Sequence, residues 1–403
     1  MKVLHLNNYI GGSGTDLAFS ATIAALRAHS GIENLVAAVD GGDLRLTSWE
    51  QRRGLGKLAY IYSNENRGRL AKFLAQHQPD ILHAHGFYAA ISPSILSAIA
   101  RARDEWGMKF IQTAHSHELV CSNSSAYDDT EQRICTDCRG KHPKLKIFYR
   151  NCDRRGWVHS WIKGVRCFVA HDLLKQVEVT DHIICPSEMM RESLAIEGLD
   201  RAKLSVLHNP VDTGRLDPGS ARAREIVYFG RFAPEKDLDT LCEGFLAFQR
   251  NHERWRLVLI GEGPEHDHLE ARFGSSPYIE ILPFMTHDML FARLAQARIM
   301  VMSSRLLENA PLVIPESVMC GLWPVVPDHG GMAEMVKYVG AGSCYRYGEP
   351  ASLIDALRAA AADEDDLRDR LRSAQDFIEA QMRPRPYAKQ VQAIYESVAS
   401  RLN

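Results

Sequence analysis

The sequence predicts an α/β protein made of two doubly wound, Rossmann-like domains facing each other across a cleft. Three observations predict it. The chain has 403 residues, too many for one ordinary core and enough for two. Short β-rich runs alternate with helical patterns, as parallel strands joined by crossover helices require. The alternation stops at a polar stretch rich in Pro and Gly, and then starts again.

In the first half KVLHLN, NLVAAVD, DILHAHG, KFIQTAH, DHIICPS and LSVLHNP read as strands, and residues 16–27 and 91–102 as helices. NPVDTGRLDPGSARARE suits a linker, with the hinge at residues 209–223. EIVYFGR, WRLVLIGEG, IEILPF, ARIMVMSS and WPVVPD are five further strands, each followed by a turn and a helical pattern. Beyond residue 350 the chain is helical, and RPRPYAKQVQAIYESVASRLN has a proline break before one last amphipathic helix. The expected domains are residues 1–208, with an insertion at about 118–158, and residues 224–383. The final helix, 384–403, packs back on the N-terminal domain.

Composition excludes several classes. With 48 Lys plus Arg against 50 Asp plus Glu, the molecule is no polycation, and no nucleic-acid partner is expected. Nine cysteines, an odd number, argue for mostly reduced thiols rather than a disulfide framework. The start, MKVLHLNNYIGG, lacks the features of a secretory signal, and no apolar run reaches the roughly 18 residues of a membrane span. The expected location is the cytoplasm.

Ligands of doubly wound sheets bind beyond the carboxyl ends of the strands, so the residues there carry the functional reading. After the first strand, Gly11, Gly12 and Gly14 precede a helix and let backbone amides approach a ligand. The spacing lacks the third glycine of the dinucleotide fingerprint, and a plain tight turn is the alternative. Arg231 ends a strand in VYFGRFAPEKDLDTL, with Lys236 just before the next helix; the two suit a clamp on a leaving diphosphate, or are solvated surface charges. Gly261 and Glu262, in LVLIGEGPEHDHLE, permit close approach of a flat group such as a nucleobase. In ENAPLVIPESVMCG, Glu308 precedes a helix whose first turn carries Pro311. The amides near Leu312 and Val313 suit phosphate oxygens, Glu308 suits sugar hydroxyls, and Glu316 suits a ribose. The alternative makes Glu308 a helix cap and Glu316 part of a surface pair.

The insertion carries Cys121, Cys135, Cys138 and Cys152, spaced by 13, 2 and 13 residues. One CXXC pair with two flanking cysteines is a ligand set for structural zinc, or else four unligated thiols. The stretch from Arg133 to Arg166 is also basic, with Lys141, Lys144, Lys146 and Arg150 near its middle and Phe148, Tyr149, Trp157 and Trp161 interleaved. Such a surface suits an anionic membrane face or a lipid-diphosphate acceptor; an ordinary solvated face is the alternative.

GRFAPEKDLDTL, LIGEGP, the two glutamates of ENAPLVIPESVMCGLWPVV and GGMAEMV, in that order, resemble the retaining glycosyltransferase family 4 of GT-B architecture. LHLNNYIGGSGTD, ILHAHG, QTAHSHELVC and ICPSEMM extend the resemblance through the first half. Similar cysteine-bearing insertions occur in bacterial polysaccharide-type members. The resemblance implies that Arg231 and Lys236 bind the donor diphosphate, Glu308 the transferred sugar and Glu316 the ribose. It also implies that Gly11, Gly12 and His115 line the reacting side. The family's acidic residue after that histidine is replaced here by Ser116 and His117, which puts the acceptor-side contacts in doubt. The implied activity is metal-independent transfer of a sugar, with retention, from a UDP- or GDP-linked donor to a glycan or lipid-linked glycan acceptor. It serves envelope or exopolysaccharide synthesis at the inner face of the membrane. A sugar-nucleotide epimerase and a non-catalytic sugar-nucleotide sensor are the rival readings.

Overall fold

The computed structural model describes the whole chain except Ser13 and residues 141–143, 219–221, 253, 363–364 and 402–403. It divides into two compact units, Met1–Pro210 with Arg383–Asn403, and Val211–Met382.

The N-terminal unit runs β1 (Lys2–Leu6), α1 (Gly14–His29), β2 (Glu33–Ala38), β3 (Leu44–Arg45), α2 (Asn64–His77), β4 (Ile81–Ala84), α3 (Leu96–Trp106) and β5 (Lys109–Thr113). The insertion follows, with the small antiparallel pair β6 (Tyr127–Asp128) and β7 (Arg133–Ile134), and then α4 (Trp157–Phe168). The unit continues with α5 (Gln176–Val179), β8 (His182–Cys185), α6 (Glu188–Ile196) and β9 (Leu204–Val206). The sheet order is β3-β2-β1-β4-β5-β8-β9, and its pairs are parallel. Its central strands are buried along almost their whole length, as helices on both faces demand. Ser63 and Ser187 start α2 and α6 by accepting from the amides of Asn66 and Met190.

The helix expected over 91–102 begins later. Ser92 has a left-handed φ of 95°, a 3-10 turn occupies Pro93–Ile95, and α3 starts at Leu96. The proline has no amide to give to a continuous helix.

The C-terminal unit contains β10 (Glu225–Phe229), α7 (Leu238–Gln249), β11 (Arg256–Ile260), α8 (His266–Phe273), β12 (Ile279–Leu282), α9 (His287–Leu294) and β13 (Ile299–Val301). It goes on with α10 (Val313–Met319), β14 (Trp323–Pro327), α11 (Gly330–Val339), β15 (Ser343–Tyr345), α12 (Pro350–Ala361) and α13 (Asp365–Gln381). Its parallel sheet has the order β12-β11-β10-β13-β14-β15. The last helix, α14 (Pro384–Ala399), belongs to the N-terminal unit. There Tyr387, Val391 and Tyr395 are buried with Val3, Leu26 and Ile81, and the Tyr387 and Thr22 hydroxyls lie 2.9 Å apart.

Part of the stretch expected to be a linker is tied down. The Val211 amide donates to the Met382 carbonyl and the Leu216 amide to the Met319 carbonyl, each at 2.8 Å. Gln375 Nε2 donates to the Leu216 carbonyl at 2.8 Å. These bonds, not composition, assign the segment to the C-terminal unit.

In each sheet the strand order reverses at one place, between β1 and β4 and between β10 and β13. The crevice beyond the carboxyl ends at that switch point is where such sheets bind ligands.

Candidate functional site

At the switch point of the C-terminal unit, two loops carry the sequence-predicted charges to one place. Lys236 ends a 3-10 turn, Pro234–Lys236, shortly after β10, and Glu308 lies in the loop after β13. Lys236 Nζ sits 2.5 Å from Glu308 Oε1, and the Ser304 hydroxyl donates to the same oxygen at 2.7 Å. Burial pushes the Glu308 carboxyl up, but the charge and hydrogen bond of Lys236 and the bond from Ser304 outweigh it, so the group ends below its ordinary value. Oε2 remains an acceptor.

The backbone around this pair is fixed from several sides. The Arg305 amide donates to the Glu235 carbonyl at 2.8 Å, and the Ser303 hydroxyl to the Lys236 carbonyl at 2.6 Å. Arg305 Nη2 donates at 2.6 Å to Asp237 Oδ1, and the Tyr347 hydroxyl at 2.9 Å to Asp237 Oδ2. His329, just ahead of α11, donates from Nε2 to the Leu306 carbonyl at 3.1 Å, and the Gly331 amide of α11 donates to the Glu308 carbonyl at 2.6 Å. A Cβ on Gly331 would lie 1.5 Å from the Asn309 carbonyl oxygen, so only glycine lets α11 approach this loop. In the sequence GGMAEMV is a motif without a role; in the fold its glycine holds Glu308. Ser304, Asp237 and His329 escape sequence reasoning, since nothing in their local pattern distinguishes them from ordinary loop residues.

Arg231 projects into solvent, 4.0 Å from Glu235 Oε1 with 54 % of its side chain exposed, while the buried Tyr228 hydroxyl donates to its carbonyl at 2.9 Å. Gly261 is glycine because its backbone presses on β10's end: a Cβ would lie 1.9 Å from the Gly230 carbonyl oxygen. The Glu262 carbonyl accepts from the Phe232 amide at 2.8 Å, and its side chain is exposed. Packing of two loops therefore accounts for Gly261 without a ligand. Pro311 is not in the first turn of α10. Leu312 caps that helix, Val313 opens it, and Pro315 is the proline inside it. Glu316 is half-buried on α10, and burial raises its carboxyl to about 7.

In the N-terminal unit, the exposed Gly11 and Gly12 follow β1, and Asn7 Nδ2 donates to Asp16 Oδ1 at 2.8 Å beneath them. His115 follows β5. Its Nε2 lies 2.9 Å from His85 Nδ1, the two rings stack at 5.1 Å, and burial lowers His115 to about 4, so it is neutral at pH 7. Among the described residues, one group of metal-competent atoms lies within 4.8 Å of one another, on His5, His83 and His85. Both nitrogens of His83 are already engaged, by the Tyr395 hydroxyl at 2.6 Å and the Thr113 hydroxyl at 2.7 Å, so this trio is a hydrogen-bonded core.

Cys121, Cys135, Cys138 and Cys152 are half-buried free thiols and do not meet that spacing. They are close enough to titrate against one another. Burial first, and then the neighbouring thiols, push Cys138 to about 11 and Cys152 to about 12. A cation among them would reverse that repulsion, and the donor set fits zinc.

The basic surface expected in the insertion is not free to act. Lys144 is buried, 2.5 Å from Glu197 Oε2. Lys146 and Arg150 both pair with Asp137 Oδ2, at 2.8 and 2.6 Å, and Arg150 also reaches Asp128 at 2.9 Å. Lys163 and Arg155 share Asp153, at 2.7 and 2.9 Å. Internal carboxylates consume these charges; Lys141 lies outside the described residues.

Residues 24–215 match the family described as Glycosyltransferase Family 4, and residues 219–376 that described as Glycosyl transferases group 1. The chain is 25% identical over 263 residues to the phosphatidylinositol N-acetylglucosaminyltransferase gpi3 subunit of Schizosaccharomyces pombe, covering 59% of this chain and 54% of that one. This match spans about half the length of that relative. A D-inositol 3-phosphate glycosyltransferase of Nocardioides is 24% identical over 396 residues, covering 89% and 76%. Among solved structures, Anabaena HepE in complex with UDP and glucose superposes with a TM-score of 0.67 at 17% identity, covering 98% of this chain and 100% of that one. Sucrose-phosphate synthase from Thermosynechococcus elongatus gives 0.70 at 15%, covering 99% of each.

Proposed function

This chain belongs to glycosyltransferase family 4 and has the GT-B fold, and on that premise we propose that it is a retaining, metal-independent hexosyltransferase. It moves a sugar from a nucleotide-sugar donor to a hydroxyl of a glycan or lipid-linked glycan, in envelope or exopolysaccharide synthesis on the cytoplasmic face of the membrane. The observation that carries the reading is the Lys236–Glu308 pair at the switch point of the C-terminal sheet.

In this reaction the bond from the anomeric carbon to the diphosphate breaks, and its electron pair leaves on the phosphate. The acceptor oxygen bonds the same face of the carbon, and its proton passes to the departing phosphate. Arg231 and Lys236 offset the charge that develops there, with the amides of Leu312 and Val313 beside them. Glu308 fixes the lysine and offers Oε2 to a hydroxyl of the sugar, and Glu316 takes the ribose. In the N-terminal unit, neutral His115 and the amides of Gly11 and Gly12 serve the reacting group. HepE was solved with UDP and with UDP-glucose, which supports a nucleotide-sugar donor and makes UDP the first ligand to test. Cys121, Cys135, Cys138 and Cys152 would close around one structural zinc.

Glu308→Gln should retain UDP affinity within a few-fold and lower turnover roughly 10²-fold or more, because a fixed charge at the reacting sugar is lost. Turnover within a few-fold of wild type, measured with a donor selected by thermal stabilisation, removes Glu308 from the chemistry.

A further inference from the structure

Three arginines surround one hollow at the amino ends of the C-terminal sheet, across the length of β10 from Lys236 and Glu308. Arg224 stands immediately before β10 and Arg254 two residues before β11, its parallel neighbour. Helix α7, the crossover between these strands, returns the chain with Arg250 just past its last turn. With Asn251, His252 and Trp255 the three arginines line a cavity of about 410 Å³. That volume lies within the roughly 300–1,000 Å³ of small-ligand sites. The backbone under it is fixed. The amides of Asn251 and His252 donate to the Phe248 and Gln249 carbonyls at 3.2 and 2.9 Å, the Trp255 amide to the His252 carbonyl at 3.1 Å, and the Arg256 amide to the Arg224 carbonyl at 3.0 Å. The His252 ring stacks on Phe248 at 4.4 Å, and Trp255, edge-on to the same ring, is buried.

Nothing in the described protein answers the charge of these three side chains. Other arginines of the unit are engaged: Arg293 with Glu225 and Arg305 with Asp237, each at 2.6 Å, Arg222 with the Ala297 carbonyl at 3.1 Å, and Arg298 and Arg370 over the rings of Trp255 and Trp323. Among the described residues of the unit, the arginines whose guanidiniums have no ion pair, hydrogen bond or ring contact are Arg224, Arg250 and Arg254, and all three line this cavity. Carboxylates are not scarce in the chain, with 50 Asp plus Glu against 48 Lys plus Arg. None is among the described residues that line the hollow, and Glu253 lies outside the described residues. Three like charges around one space repel one another. The negative end of α7 accounts for Arg250, but Arg224 and Arg254 stand at the starts of strands and gain nothing from it. The missing partner is therefore an anion. Guanidiniums match phosphate oxygens with paired donors, and Asn251 and His252 add further polar atoms. A single phosphate would leave positive charge over, whereas two or three linked phosphates balance three guanidiniums. Buried Trp255 offers no open face for a base, so the phosphates carry the recognition.

We propose that this hollow binds a short polyphosphate, a chain of two or three phosphate groups either free or carried on a nucleotide, separately from the donor site at the carboxyl ends of the same sheet. The test is calorimetric titration of full-length protein at low salt with sodium tripolyphosphate, with ATP and, at equal ionic strength, with sulfate. Wild type should bind tripolyphosphate, less tightly as salt rises, and sulfate should not reproduce the binding. Lys236→Met, with its donor clamp disabled, should still bind tripolyphosphate, and adding Arg250→Ser and Arg254→Ser to that protein should weaken binding about tenfold or more. Both arginines are exposed, so these two substitutions should leave the melting temperature and UDP affinity of the wild type unchanged. ATP bound as tightly as tripolyphosphate makes the ligand a polyphosphate whether free or esterified; weaker ATP binding makes it the free chain. Absence of tripolyphosphate binding overturns the proposal, as does binding that sulfate reproduces or that the arginine substitutions leave intact. Binding that Lys236→Met abolishes belongs to the donor clamp and overturns it as well.

Discussion

Replacing Lys236 by methionine removes the partner that keeps Glu308 ionised while preserving much of the side-chain volume. In the wild type, burial raises the Glu308 carboxyl and Lys236 more than reverses this. Without the lysine, burial is opposed only by the Ser304 hydroxyl and the more distant His329, so the carboxyl moves above its ordinary value of 4.5. Removing one partner of a fully buried pair costs about 3–5 kcal/mol. Here Lys236 and Glu308 keep 23 and 20 % of their side-chain surface, so water relieves part of that cost. A loss of about 1–3 kcal/mol at pH 7 follows. At about 2–4 °C per kcal/mol for a domain of this size, the melting transition of the C-terminal unit should fall by roughly 2–12 °C. The pH dependence supplies the sign. A depressed carboxyl contributes stability that is present above its unfolded value and lost as pH falls through the folded one. A raised carboxyl is a burden at neutral pH that vanishes on protonation. The gap between wild type and Lys236→Met is therefore widest at pH 7 and narrows towards pH 4.5, and Lys236→Met with Glu308→Gln recovers part of it. Scanning calorimetry on the three proteins between pH 4.5 and 8 measures this. A variant that melts with the wild type at pH 7, or a gap constant across the range, would refute the reasoning.

Gly331→Ala places a methyl group 1.5 Å from the Asn309 carbonyl oxygen as the backbone now stands, so the Glu308 loop must shift; turnover should drop by at least tenfold while the surroundings of His115 are untouched, and equal kinetics would show that the loop gives way freely. Because burial raises Glu316 to about 7, its carboxylate fraction grows as pH rises through neutrality. UDP binding by calorimetry should tighten between pH 6 and 8, and Glu316→Gln should flatten the profile; a profile unchanged by the substitution would remove Glu316 from the ribose contact. Purified, reduced protein should carry close to one zinc per chain by elemental analysis, and Cys135→Ser with Cys138→Ser should abolish it. Metal-free wild type would leave four plain thiols.

Much of the fold is legible in the sequence because parallel strands covered on both faces are continuous apolar runs, and the runs at KVLHL, EIVYF, RLVLI and WPVVP are strands in the structure. The edges are not legible. β3 has two residues and β15 three, too short for any period, and they exist because a neighbouring strand offers its edge. Residues 91–102 have helical composition, but Ser92 and Pro93 delay the helix to Leu96. In the site, Lys236 and Glu308 are visible as residues at strand ends. That they meet is not visible, because 72 positions separate them and the meeting depends on Ser303, Arg305 and Gly331 holding two loops together.

The insertion shows why a charge run and an apolar period carry different kinds of information. The cations between Arg133 and Arg166 read as an anion-seeking surface because only their neighbours along the chain can be counted. Their partners lie elsewhere: Glu197 takes Lys144 from 53 positions away, and Asp137 alone takes contacts from Arg133, Lys146 and Arg150. A net positive stretch therefore predicts nothing about a surface until its carboxylates are placed. The apolar period through Trp157, Trp161, Val165 and Phe168 is likewise plain in the sequence, but a period states only that a helix has an apolar face and not which way the face points. Its direction is decided by what can be buried on the other side. Here a serine that caps two amides, a glycine against Ile147 and an arginine stacked between two tyrosines claim the inner face.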